Sequence, residues 1–391
     1  MKTSSKFGSS AGRRLFGGAA LGAAALAITG GVAVGGAWAA GGPISASTLA
    51  SLKTMVTKAE AAPKFAAPGP AVKASVIKGD SLTVFPVNSE IDACNTQAND
   101  FASLGKALDA KVTVDSNAGN PAQWVSAIQN ATSAKDAAVV MLCGVIPGAV
   151  GPQLTAAHNA GLKVIDGNFN ETSDYTGLDG ETAVNVIQGM RDDVADALIN
   201  LKGKALHALF VTSASIIQGP ASITAVTGEI NKVCPSTCTQ TTVNVPIQDW
   251  ATATESDVAS ALTANPKINA VIIAFDGMEA FAAPAVQSHA GVKIYTWGGG
   301  RSVEKVMEGS NPLVMADSGP DEDWDAYEAM DQVIRLVGGH PAASVNNELD
   351  PNRFWVPSNV KAFFGPGGTY GNEGYGGNAF IKGFDKLWGV K

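Results

Sequence analysis

Beyond its first 39 residues, the 391-residue chain lacks the short motifs of several common enzyme classes. Residues 40–391 contain no G-x-S-x-G segment, no H-E-x-x-H segment and no glycine-rich loop ending in Gly-Lys followed by Ser or Thr. Histidine is scarce, and the four histidines are scattered along the chain: His158, His207, His289 and His340. We therefore predict no enzymatic activity, no metal site and no cofactor.

The chain also has little positive charge. Lys and Arg number 27 against 35 Asp and Glu, so the formal net charge is −8. Residues 1–39 contain four basic residues and no acidic one, so the rest of the chain carries −8 − 4 = −12. Because a nucleic-acid partner requires a basic surface, this balance argues against one. After residue 40, no apolar run is long enough to cross a bilayer.

The first 39 residues have the pattern of an export signal. Arg13-Arg14-Leu15-Phe16 ends a basic segment, an apolar stretch rich in Gly and Ala follows, and Ala37-Trp38-Ala39 offers a small-x-small cleavage site. The pattern Arg-Arg-x-Phe resembles a twin-arginine signal. An uncleaved anchor is the alternative, but the many glycines make a poor spanning helix. We predict export to the periplasm or to the exterior of a bacterial cell envelope.

From residue 81 onward, apolar runs of strand length alternate with amphipathic stretches of helix length. This rhythm reaches about residue 166 and starts again with a long predicted helix over 182–201. Within the first series, Asn120 is predicted to cap a helix that begins at Pro121. Such alternation predicts doubly wound parallel α/β sheets, and its repetition predicts two lobes with a cleft between them. The predicted division is a signal peptide over 1–39, an extension or linker over 40–80, a first lobe over 81–180 and 319–345, and a second lobe with the C-terminal tail over 181–318 and 346–391.

The cysteines of an exported chain are expected to form disulfides when their number is even, as here. Cys234 and Cys238 enclose three residues, not the two of the usual redox motif, and no further metal ligands lie nearby. We predict a local structural disulfide between them. Cys94 follows the first predicted strand and Cys143 ends the third. Since these strands are neighbours in a flavodoxin-like order, Cys94 is within reach of Cys143.

The segment over 269–290 joins a buried strand to the start of a helix. Its apolar, β-branched run is broken by Asp276-Gly277, after which a helical pattern begins. Ligands of open α/β sheets bind at this edge, where a carboxylate can accept hydrogen bonds from a polar ligand. Asp276 is therefore a candidate ligand-binding residue. The alternative is that Asp276 only caps the following helix.

Over about residues 81–357, the order of the elements resembles the type I periplasmic sugar-binding proteins, the ribose- and galactose-binding-like solute receptors of ABC importers. The matching stretches are Asn120-Pro121-Ala122-Gln123, Gln248-Asp249-Trp250, Ala274-Phe275-Asp276 and the segment LVMADSGP over 313–320. The resemblance implies two doubly wound lobes joined by a hinge of several strands.

Carried over by position, the resemblance implies a set of ligand-binding residues. Asp276 would bind ligand hydroxyls, Asp317 would fill a polar position at the hinge, and Trp250 would stack on the ligand. We expect these three to line one pocket, because parallel strands end at one edge of their sheet. The other predicted cleft residues are Asn88, Ile91, Ile146 and Gln218.

Two positions depart from the ribose-type pattern. Gly144-Val145-Ile146 replaces an acidic residue after the third strand, and the segment over 224–227 lacks the arginine of the family. Arg301 and Gln218 lie near predicted strand ends and are candidates to replace that arginine. Because the polar clamp is incomplete, a less polar ligand, such as an aromatic or deoxy compound, is an alternative to a sugar.

The resemblance implies a monomeric solute receptor that closes around one small polar molecule, first of all a sugar, and docks with an ABC permease. Such a receptor catalyses nothing, since binding only shifts an open–closed equilibrium. Two alternatives stay open. One is a receptor subunit that presents its closed form to a membrane sensor, and the other is an exported hydrolase with a nucleophile–base pair in its cleft.

Overall fold

The computed structural model describes residues 44–169, 177–234, 236–344, 346–364 and 372–390. These residues form two lobes, each built around a six-stranded sheet that helices cover. The α/β class and the two doubly wound lobes predicted from the sequence are confirmed.

The first sheet belongs to the first lobe. Its strands are β1 (Ser81–Pro86), β2 (Lys111–Val114), β3 (Ala138–Leu142), β4 (Lys163–Phe169), β5 (Gly180–Val184) and β11 (Leu349–Asp350). They lie side by side in the order β11-β5-β4-β3-β1-β2, and every pairing is parallel. Strand β3 is buried at every residue, which explains its continuous apolar sequence.

The second sheet repeats this plan in the second lobe. Its strands are β6 (His207–Thr212), β7 (Thr239–Asn244), β8 (Ala270–Ile273), β9 (Lys293–Trp297), β10 (Val314–Gly319) and β12 (Arg353–Trp355). Their order is β12-β10-β9-β8-β6-β7, with β12 antiparallel to β10 and the other pairings parallel. Both sheets therefore gather the carboxyl ends of their parallel strands at one edge.

The helices pack on these sheets. They are α1 (Ala46–Ala59), α2 (Asp92–Ala107), α3 (Pro121–Ala134), α4 (Gly151–Asn159), α5 (Val186–Asn200), α6 (Gly219–Val233), α7 (Trp250–Ala264), α8 (Glu279–Gln287), α9 (Arg301–Met307), α10 (Glu322–Val337) and α11 (Ala379–Trp388). Helix α3 begins as the sequence predicts, with Asn120 as cap and Pro121 in the first turn. No helix in the described ranges combines the length and apolar character needed to cross a bilayer.

The chain passes between the lobes at three places. After β5 it enters α5, which packs on α6, β9 and β10 of the second lobe. After β10 it enters α10, which packs on α2, β4 and β5 of the first lobe. The third passage joins β11, in the first sheet, to β12, in the second. These passages are the multi-strand hinge that the resemblance implied.

Residues 180–184 differ from the sequence prediction, which placed the start of a long helix at Thr182. They form β5, and α5 begins only at Val186 after the cap Asn185, whose side chain accepts a hydrogen bond from the Gln188 backbone N at 3.0 Å. Strand β5 is held between β4 and β11. Since β11 lies far away in sequence, the local pattern could not show this pairing.

The N-terminal extension contacts both lobes. Helix α1 packs on α5 of the second lobe, whereas the turn Ala74–Ile77 packs on α10 of the first lobe. Between them, the Pro70 carbonyl oxygen accepts a hydrogen bond from Arg335 Nη1 at 3.0 Å. The extension therefore spans the hinge side of the molecule.

The C-terminal segment is divided between the lobes, although the sequence assigned all of 346–391 to the second. Strand β12 completes the second sheet, but α11 packs on α10 of the first lobe. The reason is an aromatic face on α11: Phe380 stacks on Trp324, with ring centroids 4.6 Å apart, and Trp388 stacks on Tyr327 at 5.5 Å. The glycine-rich sequence before α11 concealed this helix.

Both predicted disulfides are present. Cys94, in the first turn of α2, is bonded to Cys143 just after β3, and Cys234 is bonded to Cys238 after α6. The first bond follows from the adjacency of β1 and β3, which the sequence predicted.

Candidate functional site

A cavity, here called the inner cavity, lies between the lobes at the carboxyl ends of the strands. The first lobe contributes Val87, Ile91, Gln97 and the Cys94–Cys143 disulfide, and the second contributes Ile216, Gln218, Trp250, Phe275, Asp276 and Trp297. The lobes also touch beside it, where the Ile217 backbone N donates to the Gly144 carbonyl oxygen at 3.4 Å. The cavity therefore occupies the predicted position of a ligand.

A second cavity, the outer cavity, adjoins the first. Ile91, Trp250, Asp276 and Gly277 line both. The outer cavity is more polar, with the side chains of Asn88, Glu90, Asp92, Gln248, Glu279 and Ser302. No Lys, Arg or His of the described chain lines either cavity. Nor do three or more Asp, Glu, His or Cys side chains in the described ranges form a group that could hold a metal ion.

Asp276 follows β8 and lies at the junction of the two cavities. Its Oδ2 accepts a hydrogen bond from the Gly300 backbone N at 2.6 Å. A Cβ added at Gly298 would lie 2.1 Å from the Asp276 Cγ, and one at Gly300 would lie 2.5 Å from Oδ2. Residues 298 and 300 are therefore glycine because they pack directly against the Asp276 carboxylate. A phosphate would be repelled by this carboxylate.

Burial raises the pKa of the Asp276 carboxyl to about 6. Backbone hydrogen bonds from Gly300 and Gly277 lower this pKa, and the charge of Asp92 raises it. The group is therefore mostly ionised at neutral pH. The helix-cap alternative does not describe it, because α8 begins with no side-chain cap and the 2.6 Å bond goes to another segment.

Three aromatic rings stand beside this carboxylate. Trp250 stacks on Phe275, with ring centroids 5.9 Å apart and planes 24° apart. Trp297 meets Phe275 edge-on at 6.5 Å. The Trp250 indole N–H donates to the Val245 carbonyl oxygen at 3.2 Å, which fixes its ring orientation. The rings give the inner cavity a large, rigid apolar wall.

The structure brings four of the predicted site residues together at the inner cavity: Ile91, Gln218, Trp250 and Asp276. Asn88 lines the outer cavity, although its Oδ1 accepts a local hydrogen bond from the Glu90 backbone N at 2.8 Å. Ligand contact by these residues remains a prediction.

Asp317 and Ile146 line neither cavity. The sequence placed Asp317 at the end of an apolar strand, but β10 continues to Gly319, and Asp317 pairs with Trp355 of β12 inside the sheet. Its carboxyl is fully buried and shares a hydrogen bond with Glu304, and burial and the Glu304 charge raise its pKa well above the usual range. Asp317 therefore lies behind the cleft, and Ile146 lies in the turn before α4.

Arg301, a candidate to replace the missing arginine, also lies outside the cavity linings. Its Nε is 2.9 Å from Glu322 Oε2, and its Nη2 is 3.4 Å from Asp323 Oδ1 and 3.6 Å from Asp100 Oδ2. This cluster joins α9 of the second lobe to α2 and α10 of the first. Arg301 therefore links the lobes at the rim of the cleft.

The lining residues that the sequence analysis missed include Gln97, Phe275 and Trp297. Trp297 could have been found with the rule that selected Asp276, because it ends an apolar strand just before glycines. Phe275 was included only as part of a strand. Gln97 lies one helical turn after Cys94, so it faces the cleft once the disulfide places that side of α2 there.

Comparison with known sequences gave no assignment. No protein-family model matches the chain, and no curated protein matches it significantly.

Comparison of structures gave many matches, including solute-binding proteins of ABC transporters. The 5-methylthioribose transporter solute-binding protein of Thermotoga lettingae, in complex with 5-methylthioribose, has a TM-score of 0.67 and 14% identity over 81% of this chain and 99% of its own. A sugar ABC transporter protein of Yersinia enterocolitica has a TM-score of 0.64 and 15% identity, covering 83% of this chain and 99% of its own. A carbohydrate transporter protein of Acidothermus cellulolyticus, in complex with myo-inositol, has a TM-score of 0.61 and 17% identity, covering 73% and 96%. At these identities the likeness establishes the fold, which is that of type I periplasmic binding proteins.

Proposed function

We propose that the protein is the exported solute-binding component of an ABC importer. It binds one small molecule in the inter-lobe cleft, closes around it as a monomer, and delivers it to a membrane permease. A small polar molecule, with sugars as the first class to test, follows from the fold and from the ligands of the similar structures. The ligand-binding residues in this proposal are Ile91, Gln218, Trp250 and Asp276 at the inner cavity, with Asn88 at its outer rim.

The observation that supports this proposal is the inner cavity itself. It lies between two lobes that are joined by three chain passages, and it combines a buried carboxylate with aromatic rings at strand ends. A ligand at this position would contact both lobes, so it would favour the closed arrangement over the open one. A binding role accounts for each of these features without a reaction.

An exported hydrolase is less well supported. A nucleophile needs a base within hydrogen-bond reach, and no histidine or lysine of the described chain lines either cavity. Carboxyl groups line the outer cavity beside Ser302, but no hydrogen bond joins the Ser302 hydroxyl to one of them among the described residues. We therefore propose that the protein has no enzymatic activity.

Native mass spectrometry of the protein purified from its producing cells tests the binding role. We expect one small molecule per chain, released intact when the protein is denatured. The matched variants are Trp250→Ala, which removes a wall of the inner cavity, and Trp388→Phe, which alters a buried ring remote from the cleft. Loss of the molecule in the first variant alone supports the proposal. A molecule retained by Trp250→Ala, or conversion of it into a product, would contradict the proposal.

Export is tested separately, since the predicted signal over 1–39 lies outside the described residues. Replacing both Arg13 and Arg14 with Lys should retain the protein in the cytoplasm, because the twin-arginine route requires that pair. Cell fractionation with an antibody gives the result. Normal export of the Lys-Lys variant would refute the twin-arginine route but not the binding role.

A further inference from the structure

We propose that the ligand of the inner cavity carries a cationic ammonium group on an apolar or aromatic body. This inference rests on the proposed function, because it names the ligand class of the same cleft. It differs from the neutral sugar that the fold alone favours, and the reasons lie in the charge, the buried acceptors and the rings of the cavity.

The first reason is uncompensated negative charge. Asp276 is shared by both cavities, and Glu90 and Asp92 line the outer one. Glu279 also lines the outer cavity, but burial and the charge of Asp276 raise its pKa to about 7, so it carries only part of a charge at neutral pH. No cationic side chain of the described residues lines either cavity, and the internal segments 170–176 and 365–371 contain no Lys, Arg or His in their sequence. An anionic ligand would add repulsion, whereas a cation would supply the missing counter-charge.

The second reason is a buried acceptor that is independent of these acids. Gln97 is 4% exposed and lines the inner cavity. Its Nε2 donates to Asp325 Oδ2, which fixes the amide, and its Oε1 has no hydrogen-bond partner among the described atoms. A buried acceptor of this kind requires a donor, and a ligand in the inner cavity would supply one.

The ammonium group matches both acceptors. It has three donors and no acceptor, whereas a hydroxyl needs donors around it as well. Asp276 Oδ2 already accepts from the Gly300 backbone, so a donor-only group completes its shell without competing for that amide. Asp276 and Gln97 both line the inner cavity, and their acceptors suit a donor-rich, positively charged head group.

The rings favour the same head group and define its body. A cation within about 6 Å of an aromatic ring centroid is attracted by the ring's electrons. Phe275 contacts both Trp250 and Trp297, and all three rings line the inner cavity with Asp276. The rest of the inner wall is apolar and includes Val87, Ile91, Ile216 and the Cys94–Cys143 disulfide. A polyol would leave hydroxyls unpaired against this wall, but an alkyl or aryl group would not.

The test compares molecules that share one body and differ in the head group. Benzylamine, benzyltrimethylammonium, benzyl alcohol and benzoate are each titrated into the ligand-free full mature chain, with ribose and myo-inositol as polyols. Thermal unfolding and titration calorimetry give the result. We expect benzylamine to raise the melting temperature increasingly as its concentration rises. Benzyltrimethylammonium keeps the charge but has no N–H donor, so it should bind more weakly than benzylamine. Benzyl alcohol should bind at least tenfold more weakly than benzylamine, and benzoate and the polyols should have no effect.

A pair of charge-removing variants locates the interaction. Asp276→Asn should weaken binding of the amine about tenfold or more, because it removes a charge-assisted hydrogen bond. Asp192→Asn is the matched control: Asp192 is also buried, lies on α5 and lines neither cavity, so amine binding should be unchanged. The ligand comparison on the unaltered chain is valid even if Asp276→Asn fails to fold.

Failure of this inference is distinguishable from failure of the proposed function. If ribose, myo-inositol or benzyl alcohol binds and the amines do not, the inference is wrong and the protein remains a solute receptor. If benzylamine does not bind, whatever else does, the inference is also overturned. If the amines bind equally to wild type and Asp276→Asn, the cationic head does not occupy the cleft and the assignment of this site is refuted.

Discussion

Buried carboxyl groups occur in the cleft and also in the hinge behind it, but their surroundings differ. In the cleft, Asp276 borders a cavity and is held by a backbone amide at 2.6 Å. In the hinge, a set of carboxyl groups at most 3% exposed, here called the hinge acids, lies between α10 and β11: Asp325, Glu328, Asp331, Glu348 and Asp350. Two pairs within this set share side-chain hydrogen bonds, Asp325 with Asp350 and Asp331 with Glu348.

The comparison shows that burial of a carboxyl group does not by itself mark a ligand site. The hinge acids lie against one another and line neither cavity of the cleft. Asp276 instead faces space that only another molecule can fill. Gln97 connects the two regions, since its amide nitrogen donates to Asp325 and its side chain lines the inner cavity. A molecule bound in the cleft would thus be one side chain away from the hinge.

The largest effect is expected from the cation of the hinge. Arg335 is 3% exposed, and its Nε donates to Asp331 Oδ2 at 2.5 Å. Replacing it with Met leaves the hinge acids without their positive partner, and breaking a buried pair in this way costs about 3–5 kcal/mol of unfolding free energy. Chemical denaturation of Arg335→Met measures the loss.

Lys78→Met is the control for this variant. Lys78 and Asp109 also form an ion pair, at 2.8 Å, but both side chains are largely exposed, so its loss should hardly change stability. Equal effects of the two variants would show that the hinge acids do not depend on Arg335. In that case the charge of Arg335 would not be what distinguishes the hinge acids from Asp276 in the cleft.

A second prediction concerns pH. Burial raises the pKa values of Glu328, Glu348 and Asp350 well above the usual range, with neighbouring acids adding to the effect. The folded chain then holds protons that the unfolded chain releases near pH 4, where its carboxyl groups titrate. These protonated carboxyl groups stabilise the folded chain fully below that pH, and the stabilisation is lost as the pH rises through their pKa values in the folded chain. Unfolding free energy should therefore fall with rising pH, by about 1.4 kcal/mol per pH unit for each extra proton bound.

The double variant Glu348→Gln and Asp350→Asn separates the hinge from the cleft in this experiment. It removes two proton-binding groups but keeps their shapes, so the fall in stability toward alkaline pH should become shallower. Asp276→Asn should leave the profile nearly unchanged above pH 7, because burial raises the pKa of that carboxyl only to about 6. A double variant with the slope of wild type would contradict the assignment of these protons to the hinge.

The sequence predicted most of the fold because the α/β rhythm is local. Strand ends, the cap at Asn120 and both disulfides followed from spacing and strand adjacency. What it could not show depended on distant partners: β5 needs β11, and Asp317 lies inside the sheet because β12 pairs with β10. The same limit applies to the site. Strand-end residues such as Asp276 and Trp250 were found, but the balance of charge in the cleft required knowing that Arg301 is engaged elsewhere.

The smallest effect is expected from Arg301, which lies between the two regions. Its side chain is 31% exposed and is shared among Asp100, Glu322 and Asp323, so solvent screens each pair. Glu322 is buried, and burial raises its pKa well above the usual range although the charge of Arg301 lowers it. Glu322 can therefore remain neutral when Arg301 is replaced. Arg301→Gln should therefore change the unfolding free energy by about 1 kcal/mol or less, and the change should shrink in high salt. Denaturation of this variant and of Arg301→Lys at low and high salt provides the measurement. If Arg301→Gln lost as much unfolding free energy as Arg335→Met, the ion pairs of Arg301 would stabilise the fold as strongly as the buried pair of the hinge. The distinction between the two regions would then be wrong.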